Sequence, residues 1–468
     1  MHFLLLTACA LKPPVLPPPP VDASPYAGKV DWDAAGGEAA AILSGYIQVD
    51  TVNPPGNETR GAEFLGSLLE AEGIPFEIHE SAPGRGNLVA RLEGSGKDKP
   101  LCLLSHIDVV TYEEDKWPEG MHPLSGHIDD DGWIWGRGAL DMKNMGVMEL
   151  MTLLLLKRLD VPLRRDVILI AVADEEIGGT GMQYLVDTYW PFLDCGHLVN
   201  EGGLGLQDML VPGQAVYPIS VGEKGNVWIR MWAYGPSGHG STPRPGEAPE
   251  LLMEAVDKLR ERDITPEIGP ELQQLLASIG ASTGGATGFV LKRPVLTSLL
   301  VKPKLMDNPL TRAAMLNTVH VTGFGGAKEP NVVASEVYAL LDCRIQPGVD
   351  PDDFIAWIQE IVGDDIRLEI LASRAGNSSP YDDPLYHALA RHAVAGEPSN
   401  VAGPVISVGF TDSVYVRPMG TRAYGFVPIL VDGDEMGGFH GAGERISTKQ
   451  LQEGTRKLFS AVVEVSAE

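Results

Sequence analysis

Apolar positions along this chain follow two rhythms. Residues 62–73 (AEFLGSLLEAEG), 146–159 (GVMELMTLLLLKRL) and 182–190 (MQYLVDTYW) place them three and four apart, which predicts helices. Residues 87–94, 100–106, 166–173 and 196–203 are short, nearly unbroken apolar runs, which predict buried strands. Alternation of this kind implies an α/β fold with a mixed, largely parallel sheet between helices. After Gly222 the style changes. Residues 226–235 alternate like a half-exposed strand, 248–262 read as a helix, 318–324 and 335–345 as strands, 351–363 as a helix and 366–372 as a last strand. That βαββαβ order predicts an inserted ferredoxin-like α+β unit, interrupted by a long irregular insert near 265–312. From about residue 384 the first style returns. The expected plan is a tether at 1–29, an α/β domain built from 30–221 and 375–468, and an inserted domain at 222–374.

Composition narrows this picture. Acidic residues outnumber basic ones 63 to 36, a formal net charge of −27, so a nucleic-acid or anionic-lipid partner is not expected. No run approaches the ~20 apolar residues that cross a bilayer; residues 148–159 are too short and read as a core helix. There are four cysteines and no CxxC spacing. Cys102, Cys195 and Cys343 lie in or beside apolar runs and are expected as free core thiols. Cys9 ends a short apolar run and precedes a proline-rich stretch, like the acylated cysteine of a bacterial lipoprotein signal. No Lys or Arg precedes that run, so a plain unstructured tail is the competing reading. An acylated Cys9 would put the chain in the cell envelope and supply its only membrane link; otherwise it is cytoplasmic.

Candidate chemistry gathers where predicted strands end. LLSHIDVV supplies His106 and Asp108, WGRGALDMKN supplies Asp141, and ADEEIGG supplies Glu175 and Glu176. VNEGG supplies Glu201 and GGFHGAGERI supplies His440. In open α/β sheets ligands bind beyond the carboxyl ends of the strands. Two imidazoles with several carboxylates there suit one divalent metal, or two sharing a carboxylate. Glu175 and Glu176 are neighbours, and on an extended chain neighbours point to opposite sides. Each residue alone reads more simply as a solvated or structural group; the ordered series is what carries the inference.

That series resembles the dinuclear zinc amidohydrolase family of aminoacylase, acetylornithine deacetylase, succinyl-diaminopimelate desuccinylase, carboxypeptidase G and carboxypeptidase S, in order, from about residue 35 to the C-terminus. WGRGALDMKN, NEGG and residues 308–333 are most similar to the carboxypeptidase S and N-acyl amino acid hydrolase branch. The resemblance implies two zinc ions per subunit (manganese or cobalt being alternatives), with Asp141 bridging them. His106 and Glu201 would complete one ion, and Glu176 and His440 the other. Glu175 would be general base and acid, and Asp108 would orient His106. In the glycine-rich loop GPSGHGSTP, His239 would reach across a homodimer to the oxyanion. Asn331, Arg344, Gly409 and Thr411 would hold the small-molecule substrate's carbonyl and free carboxylate. The sequence departs from the family pattern at Thr111, Asn144, Asn200 and Ala334. If the residue at Asn200 were the ligand in the nearer branch, Glu201 would not be. The other histidines (His79, His122, His127, His197, His320, His387 and His392) match no family position and are read as structural.

The expected activity is hydrolysis of an amide bond beside a free carboxylate, on an N-acyl amino acid or a short peptide. A deacylase of small biosynthetic intermediates such as acetylornithine is the near rival. A metal- or peptide-binding envelope protein without activity is the rival from another class, and it would be expected to have lost Glu175 or a ligand. Aminopeptidase action would want an acidic group for the substrate's amine in place of Arg344.

Overall fold

The computed structural model describes residues 25–208, 211–397 and 399–468. Cys9 and the proline-rich stretch lie outside the described residues. A nine-stranded mixed sheet forms the frame. At its centre Leu101–His106 runs parallel to Val167–Val172 on one side and to His197–Gln207 on the other, and Arg422–Val431 is parallel to His197–Gln207. Antiparallel strands flank this core: Gly86–Leu92 and Phe76–Glu80 at one end, Ala215–Glu223 at the other. The unbroken apolar runs are the central strands, as their burial on both faces requires.

Helix Lys143–Arg158 is buried all the way from Lys143 to Leu156, and it packs against the sheet beneath helices Trp32–Ile47 and Thr448–Ser466. A helix apolar on every side needs such a central place. Thr180–Leu193 covers the opposite face, where Met182, Leu185 and Leu193 meet Ile168, Ile170 and Val172.

A second sheet takes the order Thr318–Gly325, Glu336–Ile345, Gly225–Tyr234, Ile366–Arg374, antiparallel throughout. Helices Ala248–Glu261 and Pro351–Val362 pack on one face of it, which is the ferredoxin-like arrangement the βαββαβ pattern predicts. The insert differs from expectation. It is helical rather than irregular, running through Pro270–Thr283, Gly285–Leu291, Pro294–Leu300, Lys302–Leu305 and Pro309–Ala314. After the first, these helices are only four to seven residues long and are separated by glycines and prolines, so no long helical period shows in the sequence. The first docks on the nine-stranded sheet, with Leu275, Leu276 and Ile279 against Val216 and Val401.

The cysteines also differ from expectation. Cys102 and Cys195 form a disulfide across a sequence separation of 93, with Cα atoms 5.9 Å apart; Cys343 is free and buried. Parallel pairing of Leu101 with His197 and Cys102 with Leu198 brings the two sulfurs together, a proximity that spacing alone does not reveal. Cys102→Ser is expected to lower stability by about 2–4 kcal/mol. Denaturant unfolding with and without reductant checks this, and a parent indifferent to reductant would count against the bridge.

Candidate metal centre

Strand ends bring the predicted residues together. His106 closes the central strand and is buried. Its Nδ1 meets the backbone carbonyl of Asp108 at 2.9 Å, which orients the ring and turns Nε2 toward Asp141 Oδ1 at 3.2 Å. The other Asp141 oxygen meets His440 Nε2 at 3.0 Å. His440 Nε2 is also 3.4 Å from Glu176, and His106 Nε2 is 3.9 Å from Glu201. Two groups of donor atoms result, His106–Asp141–Glu201 and Asp141–Glu176–His440, each with its atoms within 4.8 Å of one another and with Asp141 common to both.

The backbone around these groups is specialised. Glu201 sits where pairing of its strand with Arg422–Val431 is interrupted, between Asn200 and Leu204. Gly202 there has φ +126, and a Cβ on Gly425 would fall 2.2 Å from the Glu201 carbonyl, so both positions exclude a side chain. Asn200 turns away from the cluster and donates to Thr411 Oγ1 (3.2 Å) and Ser413 Oγ (3.1 Å). His440 lies in the left-handed region at φ 53, where histidine is among the few non-glycine residues found.

Asp108 orients His106 through its backbone carbonyl, and its side chain has a second job. Its carboxylate is 3.7 Å from the His106 ring, but it accepts the backbone N–H of Glu175 (3.1 Å), that of Glu176 (3.3 Å) and Asn53 Nδ2 (2.8 Å). Two successive amides pointing at one carboxylate describe a turn, not the extended chain assumed from the sequence. The glutamates therefore diverge because the turn is pinned from behind. Asp174, at φ 68, starts it and is held by Arg85, which also meets Glu58 at 3.2 Å.

A buried ion pair supports the other side. Glu444 accepts from Leu140 N (2.7 Å), Asp141 N (3.0 Å) and Gly138 N (3.1 Å), and pairs with Arg137 at 2.6 Å. Arg137 in turn donates to the carbonyls of His440 (3.2 Å) and Gly441 (3.0 Å). Sequence reasoning missed this pair, although both residues stand inside the quoted motifs WGRGA and GAGER. Only the meeting of loops 303 residues apart shows that they share a task.

Electrostatically the centre is crowded with acid. Burial, then the Glu201 charge, pushes Glu175 well above the usual carboxylate range; burial, then Asp141, does the same to Glu201. Asp412, buried nearby and also missed from the sequence, is pushed up to about 8, by burial first and then by Asp108 against the pull of His106. Against its own burial, Asp141 is held low by hydrogen bonds from His106 and His440. His440 is raised to about 10 by its bonds to Asp141 and Glu176. Glu176 Oε1 is buried with no hydrogen-bond partner, a state that a coordinated cation would relieve. Imidazole and carboxylate donors in open triads suit zinc, and the residues present fit such an ion.

The remaining predicted residues fall in two places. Thr411 is buried, and both its N–H (2.8 Å) and its hydroxyl (2.7 Å) donate to Glu223. It fixes the turn that carries Gly409 and Asp412 rather than offering a free donor. Arg344 lies on the second sheet, gripped by Asp342 at 2.7 and 3.1 Å, while its Nη1 is buried without a partner. Lys224, which sequence reasoning did not single out, donates to the carbonyls of Ala313 and Leu316 and is lowered to about 8 by burial and by Arg344. His239 and Asn331 are neighbours on exposed loops of the second domain, joined by Gly240 N to Asn331 O at 2.9 Å. Within the single chain His239 bonds Ser241 at 2.8 Å and none of the cluster residues.

Comparison with known proteins agrees with this geometry. The human N-fatty-acyl-amino acid synthase/hydrolase is 29% identical over 444 residues, covering 90% of this chain and 86% of its own. Human aminoacylase-1 is 25% identical, covering 84% and 87%. Among solved structures, an M20 family metallo-carboxypeptidase from Sulfolobus solfataricus superposes with TM-score 0.69 at 18% identity, over 92% of this chain and 99% of that one. Residues 102–464 match the profile of peptidase family M20/M25/M40. The chain therefore belongs to peptidase family M20/M25/M40 and is a metal-dependent hydrolase.

Proposed function

We propose that the chain hydrolyses the amide bond of N-acyl amino acids, with two zinc ions held by His106, Asp141, Glu201, Glu176 and His440. The observation that carries this reading is the pair of donor groups sharing Asp141, with Glu175 buried beside them. When bound, such ions supply Lewis acidity toward a carbonyl and lower the pKa of water. The chain's own residues do the rest. Glu175 removes the proton from the attacking water and returns it to the departing amine; burial keeps its basicity high enough for both. Asp108 fixes the Glu175 backbone so that this carboxylate stays separate from Glu176. Arg344, with a spare buried N–H, receives the free carboxylate of the substrate, and Asn331 receives its carbonyl oxygen. His239, exposed on its loop, serves the site of a second subunit in a homodimer, as a donor to the developing oxyanion. The acyl-amino-acid substrate is favoured over a peptide by the likeness to the human synthase/hydrolase. The Cys102–Cys195 disulfide supports an oxidising compartment.

The test is amine release by the purified chain from N-acyl amino acids of increasing acyl length, Gly-X dipeptides and acetylornithine, with and without chelator. Release from the acyl amino acids, abolished by chelator and restored by zinc, is the expected result. Cleavage of acetylornithine alone would move the protein to the small-intermediate deacylases.

A further inference from the structure

The protein as a whole is strongly acidic, yet one segment reverses that balance. Between Glu271 and Glu329 the only acid is Asp307, against Lys292, Arg293, Lys302, Lys304, Arg312 and Lys328. Five of these cations fall in the helical insert at 285–314. Among the described residues none of those five lies in an ion pair, whereas most arginines of the catalytic domain are paired with carboxylates.

The same segment exposes large apolar side chains. Val295 is 71% exposed, Leu299 69%, Leu300 60%, Leu310 53% and Phe289 52%. Val295 and Leu299 are four apart on helix Pro294–Leu300 and share its outer face, while Thr297 on the inner face is buried. The helix is thus turned inside out for a protein in water. Phe289 stands on the adjoining helix Gly285–Leu291 with the Arg293 guanidinium over its ring at 3.5 Å. Apolar side chains interleaved with cations that have no carboxylate partner fit an interfacial surface, where the former enter the acyl boundary and the latter meet headgroups. Among the described residues no helix is long and apolar enough to cross a membrane, so the contact is peripheral.

We propose that the helical insert at 285–314 is a docking surface for an anionic lipid bilayer, with Phe289, Val295, Leu299 and Leu300 as the inserted side chains and Lys292 and Arg293 as headgroup contacts. The expectation that net charge keeps the protein from anionic lipid fails here because a local patch, not the average, meets the surface. The insert is also well placed for delivery. The helix before it, Pro270–Thr283, is packed on the nine-stranded sheet, and the insert's far end is tied to Lys224, which directly precedes the strand Gly225–Tyr234 where Asn226 pairs with Arg344. An amphiphilic substrate dissolved in the bilayer would thus leave it beside the residue proposed to receive its carboxylate. The docking itself does not depend on the proposed reaction.

The experiment is vesicle co-sedimentation of the full chain, with Cys9→Ser in every arm so that no acyl group can supply binding. Vesicles of phosphatidylcholine alone are compared with vesicles also containing phosphatidylglycerol. The expected result is binding that needs the anionic lipid and falls with salt. Lys292→Glu with Arg293→Glu, and separately Leu299→Ser with Leu300→Ser, should each weaken it by at least about tenfold. Hydrolysis of a short-chain soluble substrate should stay unchanged in both variants, which shows that they fold. Equal partition of parent and folded variants would overturn the proposal. So would a change of oligomeric state in the variants by light scattering without loss of lipid binding, which would assign the patch to a second copy of the chain.

Discussion

Glu175→Gln is expected to lower kcat by about 10²–10⁴-fold while leaving fold and metal content intact. Glutamine fills the same buried space and keeps the backbone N–H that Asp108 accepts at 3.1 Å, so the turn survives. What disappears is a group able to take a proton and give it back. Glu175 is not a member of either donor group, which is why metal content separates its role from that of Glu176. Steady-state rates on the best substrate, with zinc quantified on the same samples, make the check. Activity within a factor of about three of the parent would assign proton transfer elsewhere, with Asp412 the next carboxylate to examine. Glu176→Gln, by contrast, should lose metal and activity together.

The second large effect lies outside the donor set. Glu444→Ala removes an acceptor of three backbone N–H groups and leaves Arg137, itself 2% exposed, without its carboxylate. Stranding one half of a buried pair destabilises by about 3–5 kcal/mol. The pair also braces the centre: Glu444 holds the Asp141 backbone, and Arg137 holds the carbonyls of His440 and Gly441. Zinc affinity should therefore fall by about 10–100-fold, as for other groups that orient ligands from behind. Urea unfolding together with competitive zinc titration distinguishes two outcomes. Lower stability with unchanged zinc affinity would make the pair a fold element only. Glu444→Gln, which keeps an acceptor oxygen, should recover part of the affinity.

The sequence by itself determined the family and the layout. Unbroken apolar runs marked Leu101–His106 and Val167–Val172 as central strands because strands covered on both faces admit little else. Alternation in residues 226–235 marked a second, one-sided sheet, because a strand with one face in the core and one toward water places apolar side chains at every other position. The residues of both donor groups were also legible, because each sits at a strand end or turn inside a short motif. Tertiary structure decided what depends on distant segments meeting. It joined Cys102 to Cys195, placed Glu444 behind Asp141 and His440, set Asp108 under the backbone of Glu175 and Glu176, and committed Thr411 to Glu223. It also exposed the apolar faces of the insert, which composition averaged over 468 residues conceals. Local patterns report which faces of one element are buried; they carry no information about which remote carboxylate, thiol or carbonyl lies against that face. That is settled only when the fold brings together segments far apart in the chain, from 67 residues between Asp108 and Glu175 to 303 between Asp141 and Glu444.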